Sequence, residues 1–542
     1  MLAGEGVDCH TLVIGSGGAG VRAAIEASCY GETVLVSKTI AGKGGCTPMA
    51  EGGYNAVLCE RDSFVTHLED TMKGGAYLND PDLVRILVDE SPDRIHDLLC
   101  WGAVFDFTEE DKIAQRPFGG QRFPRTCYAG DRTGHEMMAT LIERLDSTDT
   151  EILQEITVIE LLREGDRVAG AIALDEKGGL EILKADTTIL ATGGGTRVFD
   201  ISTNSSSGTG DGYALGYRAG AELIDMEMVQ FHPTGAVFPY DARGRLVTEA
   251  VRGEGGILKN SLGERFMKTY DPERLELSTR DVVARAIATE INAGRGTSHG
   301  GVFLDVTHLP RKHIEEKLPV MLEQFLKFGV DIREVPMEVA PTAHHIMGGL
   351  KVTKEGATTL PGLYACGEVS GGVHGANRLG GNALAETQVF GKRAGEAAGK
   401  STAKRPEIST DQIRGQLQRF EAFYRGTTSP ATVRTELQRI MWDGAGIFRN
   451  KADLSATLKK IQKLSSQPLR AESPRNLVEC CTAQNMCLTA SLICRCALLR
   501  NESRGAHVRT DITQDWDAQT SPYGHTFISK SREGIEQRGL RL

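Results

Sequence analysis

Arg378 sits in a turn of small residues, HGANRLGGNAL, at positions 374–384. A planar guanidinium fixed there can meet a carboxylate through two parallel N–H···O bonds. The segment GGNALAE that follows carries Ala383 and Leu384 and reads as a helix start. Unpaired backbone N–H groups at such a start suit an electron-rich ligand atom. The letters fit an anion clamp beside a cofactor cradle, and equally a plain surface turn with a glycine-flanked arginine. Further His, Arg and Glu residues cluster upstream in MVQFHPTG, VTEAVRGEGG, STRDVVARAI and PTAHHIMGG. Among them, Glu249 and Arg252 have the spacing of a helix-surface ion pair, and His232 before a proline also suits a satisfied core histidine.

A cradle needs elements that hold it, and the N-terminus offers one. The apolar run 11–14 precedes Gly15-Ser16-Gly17-Gly18-Ala19-Gly20, and a helical pattern follows over 21–30. Gly15 permits the tight turn, Gly17 lets the backbone approach a pyrophosphate, and Gly20 allows close helix–strand packing. This predicts dinucleotide binding. The second strand, 33–36, ends at Ser37-Lys38, where an acid would grip a ribose hydroxyl in a nicotinamide site. Its absence favours a flavin. The stretch 41–57 is too glycine-rich for a helix and predicts an extended loop along the cofactor. The buried-strand pattern 187–192 closes on glycines at Thr192-Gly193, and Asp211 opens a later helix, either as a cap or as a ligand for a ribityl hydroxyl.

The 542 residues exceed one domain on the usual scale of about 100–200 residues, and 40% hydrophobic with 25% charged content is ordinary for a globular protein. Net charge −10 disfavours a nucleic-acid partner. No uninterrupted apolar run approaches the roughly 18 residues of a membrane span, and MLAGEGVDCH lacks signal-peptide character. The expectation is a cytoplasmic protein, or one held at a membrane through a partner. The twelve cysteines include no C-x-x-C pair, which argues against zinc or iron–sulfur ligation within this chain. Cys480, Cys487 and Cys494 recur every seven residues, as small core residues on one helix face do. Helices are expected over 63–73, 80–101, 131–145, 412–424, 430–448, 454–464 and 476–500, before a polar tail. Strands are expected over 151–162, 167–175, 180–185 and 363–369. The fold class is α/β: a split Rossmann-like FAD-binding domain (1–221 and 343–400) with an inserted α+β capping domain (222–342) and a C-terminal helical domain (401–542).

With VIGSGGAG, QFHPTG, TEAVRGEGG, TRDVVARAI, PTAHHIMGG, HGANRLGGNAL and NESRGAH in order, the chain resembles the flavoprotein subunits of succinate dehydrogenase and fumarate reductase nearly end to end. The resemblance implies FAD, reversible interconversion of fumarate and succinate, and an iron–sulfur subunit that supplies electrons. It implies that His232, Thr248, His344 and Arg378 hold the dicarboxylate. Arg280 would donate the proton, fed through Glu249 and Arg252, while hydride passes between flavin N5 and one olefinic carbon. Gly15, Gly17, Gly18, Gly20, Ser37, Lys38, Gly45, Cys46, Thr47, Gly52, Gly53, Thr192, Gly193, Asp211, Glu368, Ala383 and Leu384 would contact FAD.

The chain departs from the family at one loop. Many members attach FAD to a histidine in a HT-x-x-A-E/Q-G-G loop; here the stretch is CTPMAEGG, with Cys46 at that position. FAD is therefore expected to be noncovalent. In this family the covalent bond accompanies a higher flavin potential, so its loss favours fumarate reduction. L-aspartate oxidase shares the scaffold and noncovalent FAD, but Pro117–Gly120 and Arg378–Asn382 follow the fumarate reductase pattern more closely. A noncatalytic electron relay or scaffold would not need Arg280, His344 and Arg378.

Overall fold

The computed structural model describes residues 6–513, 517, 519–531 and 534–539. Its first layer is a seven-stranded sheet. Val7–Ile14 lies at the centre, parallel to Thr33–Ser37 on one side and to Leu180–Leu190 on the other. Both faces are covered, so these strands read as runs of Val, Ile and Leu rather than as alternations. The helix Gly18–Ala27 starts directly after the first turn, earlier than the expected 21–30. It packs on Asn382–Gly399, and the approach is close: a Cβ on Gly395 would stand 2.3 Å from the Ala23 carbonyl oxygen.

Three strand expectations change. The run 151–162 is two strands, Glu151–Gln154 and Thr157–Glu164, on opposite edges of the sheet. Glu155 between them has φ 60°, which ends the first strand. Conversely, 180–185 and 187–192 merge into the single strand Leu180–Leu190, shared between the parallel core and an antiparallel meander with Arg167–Leu174. The strand over 363–369 stops at Ala365, because Gly367 takes φ 73° and the chain coils into a short 3-10 turn.

Helix expectations match closely: Phe64–Gly74 is capped by Ser63, and Pro81–Cys100 by Asp80, whose carboxylate accepts from the amides of Asp82 and Leu83. The segment around Val229–Phe238 and Met337–Ile346 forms a separate four-stranded antiparallel sheet. It has its own apolar core, from Ala236 to Val339.

Farther on, Asp411–Tyr424, Pro430–Ala445, Lys451–Ser465 and Pro474–Leu499 make the helical layer. Cys480, Cys487 and Cys494 are buried in it, and burial pushes each thiol up to about 12. Among the described residues, Pro474–Leu499 is the helix long and apolar enough to cross a membrane, with mean hydropathy 1.3. Most of its apolar window, 72%, is buried inside the protein, as in a core helix.

The polar tail contributes structure where none was expected. Thr526–Ser531 pairs antiparallel with Leu223–Ile224, which in turn pairs with Gly349–Lys351. Beside this junction Arg500 is fully buried: Nε donates to Glu227 (2.5 Å), Nη1 to Glu502 (2.7 Å) and Nη2 to Asp225 (3.3 Å). Removing a guanidinium from such a cluster strands buried carboxylates, at a cost of about 3–5 kcal/mol. Arg500→Met is therefore expected to lower the thermal unfolding midpoint and to speed limited proteolysis of the tail.

Candidate active site

One cavity of about 790 Å³ runs between the first sheet and the antiparallel one. Its walls at the first-sheet end are Gly15, Gly17 and Gly18, then Ser37 and Lys38, then Gly45, Cys46, Thr47, Gly52 and Gly53 of the loop. Thr192, Gly193, Asp211, Glu368, Ala383 and Leu384 complete that wall. Gly20 does not face the cavity; its role is packing, since a Cβ there would come 1.8 Å from the Gly15 carbonyl oxygen. At Gly17, by contrast, an added Cβ would meet only Thr47 Oγ1 at 3.6 Å, so its backbone is open to a ligand. The glycine turn thus fits a pyrophosphate cradle.

Two side chains of this wall are engaged with protein. Lys38 Nζ donates to Asp211 Oδ2 (3.0 Å) and to Thr482 Oγ1 (3.1 Å). Asp211 also accepts from Thr209 and Asn485, both at 2.7 Å, and the helix N-cap position belongs to Gly210. Burial would raise the Asp211 carboxyl, but Lys38 and these donors hold it below its usual range. The lysine charge is thus spent on Asp211, which leaves the Lys38 ammonium committed within the protein rather than free for phosphate.

The far end gathers His232, Thr248, Arg280, His344 and Arg378 from separate elements. His232 lies on strand Val229–Phe238 and His344 on Met337–Ile346, with ring centroids 5.1 Å apart. The Thr234 amide donates to His232 Nδ1 (3.2 Å), which fixes the proton on Nε2 and makes that nitrogen a donor. Burial and the guanidiniums of Arg280 and Arg378 hold both imidazoles well below their ordinary range, so both are neutral. Thr248 caps the helix Glu249–Gly253.

Behind Arg280, outside the cavity wall, stands Glu249. Its Oε2 accepts from Arg280 Nε and lies 2.8 Å from both Nε and Nη2. Its Oε1 accepts from the Gly119 amide (2.8 Å) and lies 3.6 Å from Arg252 Nη2. Burial would raise this carboxyl, yet Arg280, Arg252 and the Gly119 amide keep it below the usual range. Arg252–Glu249–Arg280 is a continuous buried row rather than a surface pair, and it ends at the cavity.

Gln230 was not singled out by the sequence. Its Oε1 accepts from both Arg280 Nη1 (3.3 Å) and Arg378 Nη2 (3.2 Å). Its amide nitrogen donates to Asn377 Oδ1 and to the Arg378 carbonyl, both at 2.8 Å. Strand periodicity held the signal, because residues i and i+2 share a face and His232 is two positions on. Burial and neighbouring Arg280 pull Arg378 down to about 9. Two guanidiniums bridged by one carbonyl turn N–H donors toward the cavity.

The sequence pattern of the FAD binding domain family matches residues 10–384, and that of the fumarate reductase flavoprotein C-term matches 434–538. The chain is 52% identical over 528 residues to a subunit of the fumarate reductase (CoM/CoB) of Methanothermobacter marburgensis, covering 95% of this chain and 96% of the relative. It is 36% identical to an L-aspartate oxidase of Nicotiana tabacum, over 94% of this chain and 82% of the relative. A FrdA variant of E. coli quinol fumarate reductase superposes with a TM-score of 0.92 at 34% identity, covering 99% and 97% of the two chains. The cofactor of this chain is FAD.

Cys46 faces this cavity, and burial, then the Glu368 carboxylate, push its thiol up to about 12. A raised thiol pKa works against thiolate attack on a flavin ring. Acid denaturation of the holoprotein is expected to leave the yellow chromophore in the supernatant; colour confined to the pellet would mean a covalent link.

Proposed function

The chain belongs to the family of fumarate reductase and succinate dehydrogenase flavoprotein subunits, and from that premise we propose that it reduces fumarate to succinate, reversibly in principle. The observation that carries the reading is the pair Arg280 and Arg378 on Gln230 Oε1, with Glu249 behind Arg280. Bound FAD supplies hydride chemistry to this site. Arg378 and the Nε2–H of His232 are the donors for the carboxylates, with Thr248 and His344 completing the hold. Donors fixed around one carboxylate draw electron density from the double bond and stabilise the charge that develops as hydride arrives.

Arg280 gives the proton to the other olefinic carbon. A free guanidinium is a poor acid, with a pKa above about 12. Here Nε and Nη2 already rest on a carboxylate that is itself held in its ionised form. As a proton leaves toward substrate, Glu249 takes a proton from the side of Arg252 and hands it to Arg280, so the guanidinium is restored as fast as it is spent. The neutral arginine therefore need not accumulate.

Electrons reach FAD through an iron–sulfur partner subunit. The absence of C-x-x-C pairs in the sequence supports an external relay, as does the naming of the Methanothermobacter relative as one subunit of its enzyme. The CoM/CoB in that name supports thiols as the distant reductant. Such a chain is cytoplasmic, or peripheral to a membrane through its partner. Fumarate-dependent oxidation of reduced viologen dye tests the reading directly. Aspartate-dependent peroxide formation without it would make the protein an L-aspartate oxidase instead.

Arg378→Lys keeps the charge and loses the fork, so it is expected to cost roughly a hundredfold or more in turnover with FAD retained. Normal turnover would remove Arg378 from the clamp. Arg378 is protonated below about pH 9 and loses its charge above it. The KM for fumarate should therefore be flat toward neutral pH and climb above about 9, which a pH series of initial rates reads out.

A further inference from the structure

A second buried row of titratable groups lies on the FAD side of the cavity, unused by the Arg280 route. Glu368 Oε1 accepts from the Ile346 amide (3.0 Å), and its Oε2 is 3.6 Å from His345 Nδ1. The His345 and His374 rings stand edge to face with centroids 5.4 Å apart. His374 Nε2 is 3.0 Å from Glu386 Oε2. His345, His374 and Glu386 are 5%, 3% and 1% exposed. Each still has a buried polar atom without a hydrogen-bond partner: His345 Nε2, His374 Nδ1 and Glu386 Oε1. Glu368, His345 and Glu386 all line the cavity. At Gly194 an added Cβ would sit 2.0 Å from Glu368 Oε1, so the backbone makes room for this carboxylate.

We propose that Glu368, packed beside His345 and the hydrogen-bonded pair His374–Glu386, takes up a proton when the bound FAD accepts an electron pair. Two electrons bring two negative charges, and one proton bound by the cofactor leaves one. The second proton, drawn from solvent through the cavity that Glu368 lines, goes to a Glu368 carboxylate oxygen, so two electrons and two protons enter together. Hydride transfer to substrate returns Glu368 to its ionised form and frees its proton. The one-electron reductant is the iron–sulfur partner or, in a titration, a dye-mediated reductant.

Charged and titratable groups face this row from every side. Arg378, Arg280 and His344 lie toward the substrate end, and Cys46, Tyr213 and Cys366 surround the carboxylates. Burial, opposed by the Ile346 amide and Arg378 and assisted by Glu386, places Glu368 at about 7. Below that pH it is protonated before any electron arrives. Above it, Glu368 starts ionised, and added charge in a low-dielectric site pushes its pKa further up. Linked uptake is therefore confined to a window directly above pH 7.

The test is a spectroelectrochemical titration of FAD in the holoprotein at a series of pH values. Each proton coupled to a two-electron couple contributes about 30 mV per pH unit. The wild type should show about 59 mV per unit above pH 7, and Glu368→Gln about 30. Glu386→Gln removes a like charge and should move the steep window to lower pH. Should Glu368→Gln fail to hold FAD, the reduced-minus-oxidised infrared spectrum of the wild type must gain a protonated-carboxyl band that shifts in D2O. A slope of about 30 mV throughout in the wild type, a steep window that persists in Glu368→Gln, or no such band overturns the proposal. The inference rests on FAD binding and not on dicarboxylate turnover, so its failure would leave the viologen assay result standing.

Discussion

Positive charge crowded into a buried place is the constraint on which this site depends. Arg252, Arg280 and Arg378 converge on one carboxylate, Glu249, and one neutral acceptor, Gln230. Like charges in a low-dielectric site repel, and burial first, then the neighbouring Arg280, pulls Arg378 down. The surrounding structure holds the guanidiniums in place through the Gln230 amide, the Gly119 amide and the Glu276 carbonyl, which accepts from Arg252 Nη1 at 2.6 Å. A dianion entering this space relieves a repulsion as well as forming hydrogen bonds. Neutral histidines suit such a place, because they add donors without adding charge.

The clamp is assembled from parts far apart in sequence. Gln230 and His232 come from a strand of the capping domain, Arg280 from the start of helix Arg280–Glu290, and Arg378 from a turn beside the FAD-binding layer. Gln230 therefore bonds across the two domains, to Arg378 through side chain and backbone. Any relative movement of the capping sheet changes the guanidinium spacing directly.

Much of this was legible in the letters. The 15–20 glycine turn, the helix bounds at Ser63 and Asp80, and the clustering of His232, Thr248, Arg280, His344 and Arg378 follow from local chemistry or motif order. What escaped was set by tertiary context. Nothing in 151–162 says that its two halves belong to opposite sheet edges, since both are ordinary strand formers around Glu155. Nothing near Lys38 in the sequence says that it pairs with Asp211, 173 positions away. Gln230 has no special spelling beyond its place in an alternating strand. Its importance comes from two arginines that fold in from elsewhere.

The tail strand has a consequence for biosynthesis. Leu223–Ile224 leads into the capping domain and Gly349–Lys351 leads out, and the two pair with each other at its base. Thr526–Ser531 then closes on Leu223–Ile224 from the other side. A nascent chain that has not yet delivered residue 526 must carry the domain on an open sheet edge. Completion of this sheet therefore waits for residues 526–531 to emerge, and a partner or chaperone that occupies that edge beforehand competes with them.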